Sequence, residues 1–138
     1  MVEGGEKMWE NIDLLAKGLY AATVRSNVIA NNIANVDTPN FKRSEVKFEE
    51  ILQEALNGNK LKGYITHPRH IPIGPPPIDS IKPEIYQVNT TSMRLDGNNV
   101  DIDYEMSQLA KNQLYYYALV QRVSGELNSI MTAVKDGR

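Results

Sequence analysis

The stretch Asn27-Val28-Ile29-Ala30-Asn31-Asn32-Ile33-Ala34-Asn35-Val36-Asp37-Thr38-Pro39 decides how the chain is read. It closes a run with strong helical periodicity, yet four of the nine residues from Asn27 to Asn35 are asparagine. Asparagine competes with the helical backbone for hydrogen bonds and is a weak helix former. Asn27, Asn31 and Asn35 recur at i, i+4 and i+8 and so form one stripe. On a solvated face Lys, Glu or Gln would serve better. The stripe therefore points to packing against other polar groups in a confined place, and the amides can be satisfied across an interface. A frayed helix end with asparagine caps accounts for Asn35 but not for Asn27 or Asn31.

Upstream, Ile12, Leu15, Leu19, Ala22, Ser26, Ile29, Ile33 and Val36 follow spacings of three and four, a heptad seam with one polar member at Ser26. This predicts a helix from Met8 to about Asn35, about 42 Å long. Pro39 enforces its end, because the residue before a proline is driven out of the helical region. At the other end of the chain, Ile102, Met106, Leu109, Gln113, Tyr116, Val120, Val123, Leu127, Ile130 and Val134 repeat the pattern. Asp101 is the expected N-cap, with Asp103 and Glu105 in the first turn, where the helix dipole favours anions. Gly137 is the expected stop.

Between the two seams, a short amphipathic helix is predicted from Ser44, as N-cap, to Leu56. Gly58 would end it, and Phe48, Ile51, Leu52 and Ala55 would share its apolar face. Six of the seven prolines then lie between Pro68 and Pro83, which leaves room only for short extended pieces, Gly63–Thr66 and Glu84–Val88. Each long seam needs a partner, and each other is the nearest candidate. The predicted fold is mainly α: long N- and C-terminal helices paired as an antiparallel coiled coil, with an irregular Pro-rich middle containing one short helix and short strands. In that register Ile33 lies near Ile102–Leu109, and Leu15 near Leu127–Val134. The organisation is one domain over 1–138, with the first helix over 8–36, a variable middle over 37–99 including the short helix 44–56, and the last helix over 100–138.

Composition narrows the function. The 138 residues are 41% apolar and 23% charged with a net charge of −2, so there is no electrostatic footprint for nucleic acid or an anionic membrane. Cysteine is absent, which removes disulfides, thiolate metal sites and a cysteine nucleophile. No apolar run is long enough to span a bilayer. The N-terminus lacks the apolar core of a secretory signal peptide, so export would need another route.

Chemistry is hard to find. His67 and His70 flank Pro68 in the Pro-rich loop, with no cysteine or carboxylate cluster beside them. Asp101, Asp103 and Glu105 are explained more simply by a helix start than by paired catalytic carboxylates. Gly97-Asn98-Asn99 reads as a turn rather than a phosphate loop. No catalytic residue, metal ligand or cofactor is expected. Tyr116 falls in the seam, while Tyr115 and Tyr117 flank it, either as ordinary surface or as intersubunit contacts. Gly18 and Gly125 lie inside the two helices, where each costs about 1 kcal/mol against alanine. Close helix approach explains them, and so does tolerance by a stabilised assembly.

Two blocks carry a resemblance. Ile29–Arg43, IANNIANVDTPNFKR, resembles the ANNxANxxTPGYK motif of the rod and hook proteins that form the axis of the bacterial flagellum, departing at Asn40 and Phe41, where Gly-Tyr is common. Asp96–Gln121, DGNNVDIDYEMSQLAKNQLYYYALVQ, resembles the C-terminal NNVDxxxEMxxLAxNQLxYxAL segment of the same family. The short length, the THPRHI run at Thr66–Ile71 and the NQLYYYAL wording resemble the proximal rod branch. The resemblance implies a non-enzymatic rod subunit whose terminal helices pack with those of other subunits around a central channel. The implied partners are other copies of the chain, neighbouring rod proteins, the membrane-embedded ring or ring–rod junction protein, and the flagellar type III export apparatus. It also implies residence in the periplasm-spanning rod, export without a cleaved signal peptide, and transmission of torque. The implied assembly residues are the two seams and the stripe Asn27, Asn31 and Asn35. Phe48 and Leu52 resemble the Phe-x-x-x-hydrophobic element that such subunits present to the export gate, although the buried face of a short helix is the simpler explanation, and an element read while unfolded can be buried later. A cytoplasmic coiled-coil adaptor or export chaperone is the rival reading.

Overall fold

The computed structural model describes residues 3–57, 80–89 and 94–136. Its elements run α1 (Glu3–Ala34), β1 (Ser44–Lys47), α2 (Glu49–Asn57), β2 (Glu84–Gln87) and α3 (Ile102–Asp136). At 1.5 Å per residue, α1 and α3 are each about 50 Å long. Helix α1 starts five residues before the expected Met8. The extended piece at Glu84–Val88 is present as β2, whereas Gly63–Thr66, the two histidines, Gly58 and Gly137 lie outside the described residues.

The long helices pack against each other. Gly18 sits under Leu119, the Asn112 amide donates to the Ala22 carbonyl at 2.8 Å, and the Asn32 amide donates to the Glu105 carboxylate at 3.2 Å. The numbers fall along one helix as they rise along the other, so the pair is antiparallel. Glycine lets the helices approach closely at position 18, because a Cβ there would stand 3.2 Å from Leu119 Cδ1, a tight contact that the leucine would have to yield to. Gly125 has no such reason among the described residues, since a Cβ there meets none of them within 4 Å. The expected neighbourhood of Ile33 agrees with the Asn32–Glu105 bond. Leu15 differs: one turn before Gly18, it falls level with Arg122–Val123 rather than Leu127–Val134. Seam spacing fixes the period but not the axial offset, and here Gly18 and Asn112 set the offset.

The short helix differs from expectation in its start. Ser44 is not its N-cap. Residues 44–47 form β1, antiparallel to β2 with Ser44 opposite Gln87 and Lys47 opposite Glu84, and α2 begins only at Glu49. The Ser44 N–H donates to Asn32 Oδ1 at 2.9 Å and its carbonyl accepts from Asn32 Nδ2 at 2.8 Å, so the backbone groups that a helix start would use are already bonded. The apolar face of α2 is as predicted. Phe48, just ahead of the helix, is buried with Ala21 of α1 and Ile81, and Ile51, Leu52 and Ala55 close over them. Through this cluster the middle of the chain docks on α1.

Candidate assembly site

The two sequence blocks, 29–43 and 96–121, meet in one joint beneath the end of α1. Helix α1 stops at Ala34 and leaves its last carbonyls to be satisfied from outside. The N–H groups of Asn35 and Val36 do this for Asn31, Asn32 and Ile33, and fully buried Asn98 holds the turn beyond: its amide nitrogen lies 2.9 Å from the carbonyls of Asn35, Val36 and Thr38, while its Oδ1 accepts from the Val100 N–H at 2.7 Å. Asn99 accepts from the Arg43 N–H at 2.8 Å and donates to the Val88 carbonyl at 2.7 Å, tying both strands to the start of α3. Gly97 and Asn40 face each other across the turn, both with positive φ, at 75° and 59°. Only glycine, and less readily asparagine, adopts that conformation cheaply, which is why asparagine can stand at position 40 where the flagellar motif has glycine. Asp101 caps α3 as predicted, accepting from the N–H groups of Asp103 and Tyr104.

At the centre of the joint is Glu105, which has no exposed surface. Arg43 Nε donates to its Oε1 at 2.8 Å and Asn32 Nδ2 to its Oε2 at 3.2 Å. Arg43 reaches Glu45 at 2.6 Å with another nitrogen and lies 4.7 Å over the Tyr104 ring. The Tyr86 hydroxyl donates to Glu45 as well. That bond holds the Glu45 carboxyl below its ordinary value, with Arg43 adding to the effect, and pushes Tyr86 up to about 12. An unpaired buried carboxylate would be costly, so the charge network locks the strand pair, α1 and α3 in one geometry.

Sequence reading missed Asn32, Asn98 and Asn99 as fixed points. Asn32 stands next to the stripe that drew the attention, and Asn98-Asn99 read only as a turn. Two amides one residue ahead of the Asp101 N-cap were the available signal. Of the stripe itself, Asn35 is partly local: its amide donates to the Asn31 carbonyl and its Oδ1 accepts from Thr38. The side chains of Asn27 and Asn31 are exposed.

The seams divide unequally. On α1, Ala22 and Ile29 are buried, and Ile12, Leu15, Leu19 and Ile33 are half-buried. On α3, Leu109, Val123 and Ile130 are half-buried, but Ile102 (47%), Met106 (52%), Tyr116 (39%), Val120 (37%) and Leu127 (46%) are exposed. Glu105, Asn112 and Leu119, one heptad apart, each meet α1, and the Tyr115 hydroxyl also approaches Gly18. The apolar stripe read from the sequence is thus only partly covered within the chain: Leu109, Val123 and Ile130 lie at the edge of the contact, and the others are turned outward. The polar-containing stripe fits because α1 offers it the Asn32 amide, the Ala22 carbonyl and the gap at Gly18. Phe48 is buried, and Leu52 is half-buried beside it. Among the described residues there is no cluster of three metal-binding side chains, and no helix is long and apolar enough to cross a membrane.

A rigid joint at one end of a helix pair, with much of a long apolar stripe left uncovered, defines a structural subunit of a larger assembly. Comparison with known proteins agrees. Residues 12–42 match the family model described as flagella basal body rod protein. The chain is 39% identical to the flagellar basal body rod protein FlgB of Bacillus subtilis strain 168, over 92% of this chain and 95% of that one. It is 34% identical to FlgB of Borrelia hermsii over 91% and 96%, and 30% identical to FlgB of Proteus mirabilis strain HI4320 over 96% and 98%. The chain belongs to the FlgB family of flagellar basal body rod proteins. The family is structural rather than enzymatic, and membership sets aside the adaptor and chaperone reading.

Proposed function

We propose that the chain is a subunit of the proximal rod, assembling through its terminal helices with copies of itself and neighbouring rod proteins to link the membrane-embedded ring to the rest of the rod and carry torque. The observation that supports this is the exposed stripe on α3, from Ile102 through Met106, Tyr116 and Val120 to Leu127. Exposed apolar side chains recurring along one helix face mark an interaction face, and packing against α1 leaves these five exposed. The charge network at Glu105 then has a purpose in the assembled rod. It fixes the direction in which the middle of the chain leaves the helix pair, so that load on one element reaches the other.

Delivery by the type III export apparatus belongs to the same reading. Phe48 and Leu52 can be read by a gate only in an unfolded chain, because folding buries Phe48 against Ala21 and Ile81. The test is a Val120→Glu, Leu127→Glu double variant. Both side chains are exposed, so the helicity and urea midpoint of the free chain stay near wild type. Its incorporation into basal bodies falls by about tenfold or more, the equivalent of about 1.4 kcal/mol. Normal incorporation and motility would remove this face from the assembly.

A further inference from the structure

The middle of the chain docks on one flank of the helix pair. Phe48 packs on Ala21, Glu49 pairs with Arg25 at 2.6 Å, and Ser44 bonds to Asn32. At 3.6 residues per turn these three residues of α1 fall on one side of its contact with α3, and Thr23 and Ser26 fall on the other. On that other side a furrow of about 300 Å³ opens between the helices, walled by Ala22, Thr23 and Ser26 of α1 and by Asn112, Gln113 and Tyr116 of α3.

Ser26 and Gln113 are the polar interruptions of the two heptad seams, and the fold brings both to this one furrow. Ser26 stands one heptad from Leu19 and from Ile33, and Gln113 one heptad from Met106 and from Val120, so each wall turns apolar again in both directions. No charged side chain lines the furrow. Its hydrogen-bonding capacity is nevertheless unused. The side chains of Ser26 and Gln113 bond to no described residue. Asn112 gives its Nδ2 to the Ala22 carbonyl at 2.8 Å, and its buried Oδ1 has no partner among the described residues. An occupant that matches these walls is apolar for a heptad in each direction and carries one uncharged donor and acceptor between, which describes an amide. A carboxylate or an ammonium would meet no opposite charge there. One surface of this chain has that pattern and is itself open: the stripe of α3, where exposed Gln113 lies between Met106 (52% exposed) and Val120 (37%).

We propose that the α3 stripe of a second copy lies in this furrow, with its Gln113 level with Ser26 of the first, and that this one amide in an apolar seam sets the axial register between neighbouring subunits. A single polar residue at a seam position selects register in coiled coils at a cost in stability. The inference rests on the assembly through α3 proposed above, and adds which surface receives the stripe and at what level.

Cysteine is absent from the chain, so introduced thiols report contacts without background. A Ser26→Cys chain and a Gln113→Cys chain, carrying tags of different length, are produced together, and their basal bodies are isolated and mildly oxidised. A disulfide between the two chains is expected, because it forms only where Cα atoms come within about 7 Å. With Ala118→Cys, exposed on another face of α3, in place of Gln113→Cys, linkage falls by about tenfold or more. Equal linkage at the two positions, or none at Gln113, overturns the proposal. Gln113→Leu is the second test. Gln113 is exposed, so the free chain keeps its urea midpoint. The leucine removes the register signal, so the variant self-associates more in dilute solution and enters basal bodies about tenfold less, whereas Gln113→Asn enters within about threefold of wild type. A leucine variant incorporated like wild type overturns the proposal. If the cysteine chains do not incorporate, this comparison decides alone. Basal bodies that hold the wild-type chain but show no Ser26–Gln113 link defeat this proposal and leave the assembly reading standing. Absence of the wild-type chain, or normal incorporation of the Val120→Glu, Leu127→Glu variant, defeats both.

Discussion

Replacing Glu105 by glutamine perturbs the joint with almost no change in volume. The carboxylate has no exposed surface and accepts two hydrogen bonds, from Arg43 at 2.8 Å and from Asn32 at 3.2 Å. Glutamine has one oxygen to offer, so its NH₂ group must face one of these two donors. Breaking a buried ion pair from one side costs about 3–5 kcal/mol. Here Arg43 keeps Glu45 at 2.6 Å and the Tyr104 ring at 4.7 Å, so the guanidinium is not stranded and the cost falls to about 2–3 kcal/mol. With a urea slope of about 2 kcal/mol/M, the unfolding midpoint of the free chain moves down by about 1 M. Far-UV circular dichroism against urea reads this directly. A double-mutant cycle with Arg43→Met isolates the pair and is expected to give a coupling of about 2 kcal/mol. A loss below about 0.5 kcal/mol, or no coupling in the cycle, would refute the claim that this charge network holds the strand pair to the two helices.

Three further outcomes are expected. Gly125→Ala stabilises the free chain by about 1 kcal/mol in urea unfolding, because the helix gains propensity and the added methyl meets no described residue; a simultaneous fall in incorporation would show that another chain approaches closely there. Asn40→Ala costs about 1–2 kcal/mol in the same assay because of its positive φ, whereas Asn40→Gly is near neutral. The Tyr86 hydroxyl, helped by Arg43, holds Glu45 below its ordinary pKa, so folding favours the ionised form. That stabilisation is complete above the unfolded value of 4.5 and is lost as the pH falls through the lower folded value; a stability–pH series for Glu45→Gln should therefore be flatter in that acid range than wild type.

The two long helices, the cap of α3 and the apolar face of α2 were legible because each is a local pattern: heptad spacing for α1 and α3, the Asp101 carboxylate at the start of α3, and Ile51, Leu52 and Ala55 on one face. Ser44–Lys47 misled because its helix-start signal is overridden from a distance, by Asn32 on α1 and by pairing with β2. The face of α3 was legible only in part for a related reason. Periodicity identifies an apolar stripe but not which neighbour it faces, and the hydrogen bonds that tie α3 to α1 come from Glu105 and Asn112, two residues that no hydrophobicity pattern selects. The joint was invisible because Arg43, Glu105 and Asn98 come from blocks more than fifty residues apart in sequence. The resemblance picked out both blocks, and only the fold brings them together.

The central claim is that the apolar stripe of α3 is covered by other subunits in the rod, while the polar-containing stripe holds α3 to α1 within the chain. A density map of an intact basal body with this chain traced measures both at once. The account predicts Met106, Tyr116, Val120 and Leu127 in van der Waals contact with side chains of neighbouring subunits, with Glu105 still bonded to Arg43 of its own chain. A map in which that stripe faces solvent, or in which α3 has left α1 and exchanged Glu105 to another chain's arginine, would contradict it.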